Sequence, residues 1–168
     1  MIYELAQLNI AVMKESLDSP GMADFVNNLD RINALAEANA GFVWRLQTEE
    51  GDATTIRPLG DKTLINLSIW VDIEALNDYV YKSAHVEIMR RRREWFDRMQ
   101  EAHFVLWWVP AGHRPTVEEA LSRLETLQKQ GPTALAFNFR HSFQPPNAPG
   151  SSTQPTSNTG HELTDPST

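Results

Sequence analysis

Two hydrophobic periodicities run through the first half of the chain. Residues 2–9 alternate between apolar and polar positions, which predicts a first β-strand. Apolar residues from Met22 to Leu35 recur at helical spacing, which predicts an amphipathic helix that starts after Ser19 and ends near Asn39. Two more strands are then predicted, over residues 42–48 and 63–71.

The second half of the chain continues with helices and a strongly apolar strand. Asp72 is suited to cap a helix from residue 73, and Ser83 to cap a second or continuing helix through Met99. Residues 102–109 have the sequence AHFVLWWV, in which large apolar residues occupy both odd and even positions. Both faces of a strand formed by these residues would therefore be apolar. This pattern predicts a fourth strand that is covered from two sides.

A further helix is predicted after the fourth strand. Thr116 and Glu119 have the spacing of a capping box, and Gly131 marks the end of the apolar periodicity. Residues 133–139 then predict a short fifth strand or an extended arm. The order β-α-β-β-α-β, with this added C-terminal helix and strand, predicts an α+β protein with a ferredoxin-like antiparallel sheet and helices on one face.

The other face of that sheet also has to be covered. The fourth strand carries large apolar residues on both faces, so a solvated face would expose Trp107 or Trp108 among apolar neighbours. Apolar patches of that size usually mark an interface. The sequence therefore predicts a homodimer that packs sheet against sheet.

Composition separates a folded domain from a tail. Residues 144–168 contain five prolines, two acidic residues and no aromatic residue. Such a segment buries too little apolar area to offset its ordering entropy. We therefore predict one domain over residues 1–143 and a disordered tail over residues 144–168.

Charge and cysteine content exclude several classes of protein. The net charge of −7 disfavours nucleic-acid and membrane-surface partners, which select for positive surfaces. The absence of cysteine excludes disulfides, thiol nucleophiles and Cys-type metal sites. The chain has no basic leader with an apolar stretch and no run of 18 apolar residues, which predicts a cytoplasmic, soluble protein.

The third predicted strand has two different faces. Ile65, Leu67, Ile69 and Val71 form an apolar face that is expected to meet the helices. The opposite face places Asn66 and Ser68 beside Trp70, and Asn9 of the first strand is expected on the same side. Apolar walls with a few polar groups are typical of a small-molecule cavity. The alternative is that these polar groups face water or hydrogen-bond across the dimer.

Two polar residues fall on the apolar arc of the helix predicted after Ser83. On a helical wheel, His85 and Arg92 lie among Phe96, Met89 and Ile88. Inward polar groups need partners. His85 suits a general acid/base or a haem ligand, and Arg92 suits a clamp on a substrate anion. Alternatively, His85 bonds a backbone carbonyl, and Arg92 pairs with an acid or runs along the edge of the core.

The remaining candidates are weaker. His103 is expected to share a strand face with Trp107 and to approach a ligand there. No histidine pair has metal-ligand spacing, so no metal site is predicted. The chain has no glycine-rich phosphate loop and no G-x-S-x-G elbow, which disfavours phosphoryl transfer and serine hydrolysis.

Several segments resemble one superfamily. Residues 66–76, NLSIWVDIEAL, and 81–85, YKSAH, resemble the strand–helix segment of the dimeric α/β-barrel superfamily, which includes antibiotic-biosynthesis monooxygenases. The segments LAQLNI at 5–10, RRRREWF at 90–96 and LWWVPAGH at 106–113 are similar to an uncharacterised domain family within it.

The resemblance implies a dimeric α/β-barrel fold, and together with the candidate residues it leads to three functional hypotheses. The first is a small-molecule enzyme, a cofactor-independent monooxygenase acting on an aromatic or enolisable substrate. In it His85 and Arg92 are catalytic, and the substrate is bound by Asn9, Asn66, Ser68, Trp70, His103 and Trp107. The second is a haem-binding protein with His85 as the haem ligand. Haem-binding members of the superfamily carry a histidine on the second helix, which is about where His85 falls. The third is a non-enzymatic dimeric module that binds a small ligand.

Overall fold

A computed structural model describes residues 1–149 together with Thr156–Ser157. Six strands and five α-helices follow one another along this part of the chain, and a 3-10 turn, Pro20–Met22, precedes the first helix. In chain order the elements are β1 (Tyr3–Val12), α1 (Ala23–Ala38), β2 (Phe42–Arg45), β3 (Thr63–Trp70), α2 (Ile73–Lys82), α3 (His85–Arg90), α4 (Arg92–Trp95), β4 (Phe104–Pro110), α5 (Val117–Gln130), β5 (His141–Ser142) and β6 (Thr156–Ser157).

The main sheet has the strand order β2-β3-β1-β4, and each neighbouring pair is antiparallel. In the centre of the sheet Gln7 lies between Ser68 on β3 and Leu106 on β4. This order, with α1 after the first strand and α2–α4 after the third, is the ferredoxin-like βαββαβ arrangement. The predicted fold class is confirmed.

Local capping explains where two of the helices begin. The Asp72 carboxylate accepts a hydrogen bond from the Ala75 N–H at 2.8 Å, which starts α2. The Thr116 hydroxyl accepts one from the Glu119 N–H at 3.1 Å, which starts α5. Ser19, in contrast, makes no side-chain cap, and α1 begins after the 3-10 turn.

The helix predicted from Ser83 to Met99 is shorter and broken. It forms α3 and α4, which meet at Arg91, and Phe96 is already extended. Phe96 pairs with Met13 beyond the end of β1, so the backbone leaves the helix to extend the sheet. A strand-like pairing thus overrides the helical periodicity after Trp95.

The two faces of the sheet are covered by different helices. The mixed face, which carries the polar Gln7 and Ser68 together with Trp70 and Leu106, packs against α1 and α2–α4. The other face is uniformly apolar, includes Leu8 and Trp107, and packs against α5; we call it the outer face. The expectation that the apolar face of β3 meets the helices of the βαββαβ unit is therefore wrong: the mixed face does.

Helix α5 supplies the cover that was expected from a second subunit. Ala120, Leu124 and Leu127 are buried against the outer face, and Trp107 beneath them is fully buried within the single chain. The Trp107 indole N–H donates to the Glu119 carboxylate at 3.2 Å. The apolar face that motivated a sheet-to-sheet homodimer is thus closed by the chain itself, and the homodimer stays a prediction.

The segment after α5 runs along the edge of β4. Phe137 exchanges two backbone hydrogen bonds with Leu106, each of 2.8 Å, but residues 133–139 form no continuous strand. Thr133 and Ala136 exchange backbone hydrogen bonds of 2.8 and 3.2 Å across a tight turn, so neither the predicted strand nor an extended arm spans residues 133–139. β5 pairs with β6, and the rest of the predicted tail after residue 149 lies outside the described residues.

Candidate small-molecule site

A cavity of about 220 Å³ lies between the mixed face of the sheet and the helices α1–α4. Asn66, in the middle of the otherwise buried β3, is exposed, so the cavity opens to solvent beside it. Except for Ala36, which is buried, the side chains of α1 on this wall are only partly buried, because they face the cavity rather than a packed core. The residues of α1 that line it are Phe25, Asn28, Leu29, Ile32, Asn33 and Ala36.

A hydrogen-bonded polar network forms the floor of the cavity. Gln7 Nε2 donates to Ser68 Oγ at 2.8 Å and to Asn66 Oδ1 at 2.5 Å. The Trp70 indole N–H also donates to Ser68 Oγ, at 2.8 Å. Ser68 therefore accepts two hydrogen bonds with its two lone pairs, which leaves its hydroxyl proton available for an acceptor in the cavity.

His85 stands on the helical wall of the same cavity. Its Nδ1 is 3.4 Å from the Val80 carbonyl oxygen, and its ring packs against Tyr79 at 4.9 Å between centroids. A proton on Nδ1, donated to this carbonyl, leaves the lone pair on Nε2. Burial lowers the pKa of His85 below its ordinary value, and the nearby Arg92 guanidinium lowers it further. His85 is thus held as a neutral imidazole, the form that accepts a proton.

Arg92 links the cavity to a buried histidine behind it. Its Nη2 is 3.1 Å from His103 Nε2. Because a guanidinium only donates, His103 accepts with Nε2 and carries its proton on Nδ1, which is 3.5 Å from the Glu101 carbonyl oxygen. The neutral His103 therefore orients Arg92 without cancelling its charge.

Six of the eight residues predicted for the site line this cavity: Asn9, Asn66, Ser68, Trp70, His85 and Arg92. The other two do not. His103 is buried opposite Ile10 and contacts Arg92, which lines the cavity, without lining the cavity itself. Trp107 lies on the outer face beneath α5, on the far side of the sheet from the cavity, so we assign it to the core.

Other residues of the cavity were not predicted from the sequence. Arg45, at the end of β2, lines it and forms an ion pair with Glu37 of α1 at 2.8 Å. Tyr79 stacks on Trp70 at 5.1 Å between centroids, and its hydroxyl donates to the Ile32 carbonyl at 3.2 Å. Burial raises the pKa of Tyr79, so the phenol stays neutral. Alternation gave no signal for Arg45, because a bulge between Phe42 and Trp44 shifts the register and puts Arg45 opposite Ser68, on the cavity side, while Val43 packs on the other side of the sheet.

The cavity does not fit a haem. About 220 Å³ is below the roughly 300–1,000 Å³ of pockets that bury drug-sized ligands, and haem is larger than those ligands. A bare metal ion is a separate question from haem, whose iron needs only one axial side chain. Among the described residues, no cluster of three or more His, Cys, Asp or Glu side chains could hold such an ion. The residues present are suited to an organic molecule with one or two rings, since an apolar cavity of about 150 Å³ already accepts benzene.

Comparison with solved structures gives remote likenesses. The chain is similar to SnoaB, a cofactor-independent oxygenase from Streptomyces nogalater, with 17% identity and a TM-score of 0.42 over 69% of this chain and 98% of that one. A DABB family protein with a ferredoxin-like fold from Mesorhizobium loti gives 18% identity and a TM-score of 0.41, over 65% and 99% of the two chains. A protein of unknown function from Nitrosomonas europaea gives 15% and 0.42, over 68% and 97%.

Sequence comparison adds a family. No curated protein matches the chain. In the described part of the chain, no helix has the length and apolar character to cross a membrane. A family model described as "Domain of unknown function (DUF3291)" matches residues 4–153, which is most of the chain. The chain therefore belongs to the DUF3291 family.

Proposed function

We propose that this protein is an enzyme that removes a proton from a small aromatic or enolisable compound, as a cofactor-independent monooxygenase does. The observation that carries the proposal is the neutral His85 on the wall of a cavity whose floor is a polar network. A buried, neutral imidazole is a base at neutral pH. The apolar walls from α1 and the Trp70–Tyr79 stack suit a flat ring.

The chemistry begins with proton transfer. His85 Nε2 accepts a proton from the substrate, and the resulting anion is stabilised by the Arg92 guanidinium and by the Ser68 hydroxyl proton. Each of these groups is held in place before the reaction, Arg92 by His103 and Ser68 by its two donors. Such preorganisation lets them stabilise charge without reorienting.

Dioxygen then completes the reaction. The substrate anion reduces dioxygen, a carbon–oxygen bond forms, and the proton held by His85 passes to the peroxide. Loss of water from the peroxide leaves a carbonyl group, so a methylene group and a dioxygen molecule together yield a carbonyl group and a water molecule. The protein's part is to create the anion and to keep it apart from bulk water.

Oxygen consumption tests the proposal directly. The purified chain is mixed with 1-naphthol or 2-naphthol, two-ring compounds that give quinones by this stoichiometry, and dioxygen uptake is followed with an electrode. His85→Gln removes the base and is expected to lower kcat by about 10²- to 10⁴-fold. His141→Gln, in β5 and outside the cavity, serves as the matched control and is expected to keep the wild-type rate.

The possible results separate the hypotheses. Uptake that depends on His85 supports the enzyme. Binding of these compounds without uptake would make the cavity a binding module, and uptake that is unchanged in His85→Gln would remove His85 from the mechanism.

A further inference from the structure

Arg45 occupies an unusual position on the cavity floor. It is the last residue of β2 and lies opposite Ser68 on β3, so it extends the polar row across the sheet to its edge. Its side chain is only 12% exposed. A guanidinium that is so largely removed from water needs compensation from nearby groups.

The protein supplies only part of that compensation. Arg45 Nε donates to Glu37 Oε1 at 2.8 Å, and Glu37 is 46% exposed at the end of α1. Within the described residues, the terminal groups Nη1 and Nη2 of Arg45 make no hydrogen bond. Every fully buried side-chain nitrogen in that part of the chain has a partner, so Nη1 and Nη2 must be partly accessible. The bond from Nε to Glu37 leaves their shared outer edge, with one N–H from each, for a ligand in the cavity that Arg45 lines.

Two cationic side chains line the cavity of this acidic chain. Two arginines, Arg45 and Arg92, line it, and Asp52 is the one acidic residue among the lining residues. The Asp52 carboxylate accepts hydrogen bonds from Thr54, from the backbone N–H at 2.8 Å and from the hydroxyl at 2.6 Å. Arg45 and Arg92 are thus the cationic groups that a ligand meets in this cavity, although Glu37 beside the lining balances part of the Arg45 charge.

Aromatic rings connect Arg45 with the proposed base. The Arg45 charge acts on the hydroxyl of Tyr79, whose pKa it lowers against the larger effect of burial. Tyr79 in turn stacks on Trp70 and packs against His85. Arg45, this aromatic wall and His85 therefore all line the same cavity.

We propose that Arg45 binds a carboxylate of the ligand, and that the cavity is therefore selective for small aromatic carboxylic acids. Nη1 and Nη2 form the fork that pairs with both oxygens of a carboxylate, while Glu37 holds Nε and fixes the orientation of the fork. The inference that such an acid is the substrate rests on the proposed function. The inference that the cavity binds such an acid through Arg45 does not depend on any reaction.

Equilibrium binding separates these two levels, because it needs no turnover. The probes are 1-naphthoate and 1-naphthamide, which have the same ring system and differ in charge, and their affinities are measured by calorimetry. We expect the wild type to bind 1-naphthoate about ten- to a hundredfold more tightly than the amide, the range of one charge-assisted pair. Arg45→Met is expected to abolish this preference while the amide affinity stays within about twofold.

Two further variants make the test specific. Glu37→Gln removes the competing anion and is expected to tighten 1-naphthoate binding without changing that of the amide. Arg31→Met, an exposed arginine of α1 outside the cavity lining, is the matched control and is expected to change neither affinity. If Arg45→Met does not fold, Arg45→Lys with Glu37→Gln carries the test, since lysine keeps the charge but not the fork.

Three results would overturn the inference: equal affinity of the wild type for the two probes, no binding of either, or a preference for 1-naphthoate that survives in Arg45→Met. Carboxylate binding through Arg45 in a chain that consumes no dioxygen would refute the proposed reaction and leave the inference standing.

Discussion

Ser68→Ala tests the hydrogen-bond network beneath the cavity. Ser68 Oγ accepts from Trp70 Nε1 and from Gln7 Nε2, each at 2.8 Å, and all three residues are at most 5% exposed. Without the hydroxyl, Gln7 keeps its bond to Asn66, but the Trp70 N–H loses its acceptor. An unsatisfied buried donor costs about 1–3 kcal/mol. For a chain of this length that corresponds to a fall in Tm of about 2–12 °C.

A double-mutant cycle isolates this effect from changes in packing. Trp70→Phe removes the donor, so adding Ser68→Ala to it should cost much less than Ser68→Ala alone. We expect the loss in the double variant to be about 1–2 kcal/mol smaller than the sum of the single losses. The free energies of unfolding are measured by urea titration with far-UV circular dichroism.

Additivity would refute this account. If the two losses sum to within about 0.5 kcal/mol, the residues are energetically independent, and the network has no role in stability. Thr63→Ala, at another buried polar position of β3, combined with Trp70→Phe gives the reference for an uncoupled pair.

Three other expectations can be measured with the same assay. Because burial lowers the pKa of His85, the unfolded chain binds its proton more readily; stability should fall as the pH drops below about 6.5, and His85→Gln should remove that part of the fall. A Cβ at Gly41 would lie 2.2 Å from the Ala75 Cβ, so Gly41→Ala should destabilise, and Ala75→Gly should restore part of the loss. Thr116→Ala should cost about 1 kcal/mol through the lost cap of α5, whereas Ser19→Ala, with no cap bond, should cost little.

The fold follows from sequence where local and tertiary preferences agree. Strand alternation, the Asp72 cap and the Thr116 capping box all predict elements that the structure contains. The helix predicted to Met99 fails because the pairing of Phe96 with Met13 connects residues far apart in the chain. Hydrophobic periodicity indicates the type of element in which a residue lies, but it does not indicate which distant residue pairs with it.

The site shows the same limit. Alternation on β3 and the helical wheel select residues by the face on which they lie, and the structure places Ser68 and His85, selected in this way, in the lining of one cavity. Neither pattern shows which helix covers which face. Trp107 was therefore predicted for the site although α5 buries it on the other side, and Arg45 was missed because its role depends on Glu37 and on the cavity.

The central position of β1 sets the order in which the molecule can be completed. Gln7 bonds Ser68, which is 61 residues later, and β1 pairs on its other edge with β4, near residue 106. Until β4 has emerged from the ribosome during synthesis, one edge of β1 has no neighbouring strand. Exposed edges of apolar strands promote aggregation. Closure of the outer face waits longer still, for α5. Productive folding is therefore a late and cooperative event, and fragments that end before α5 should be poorly soluble.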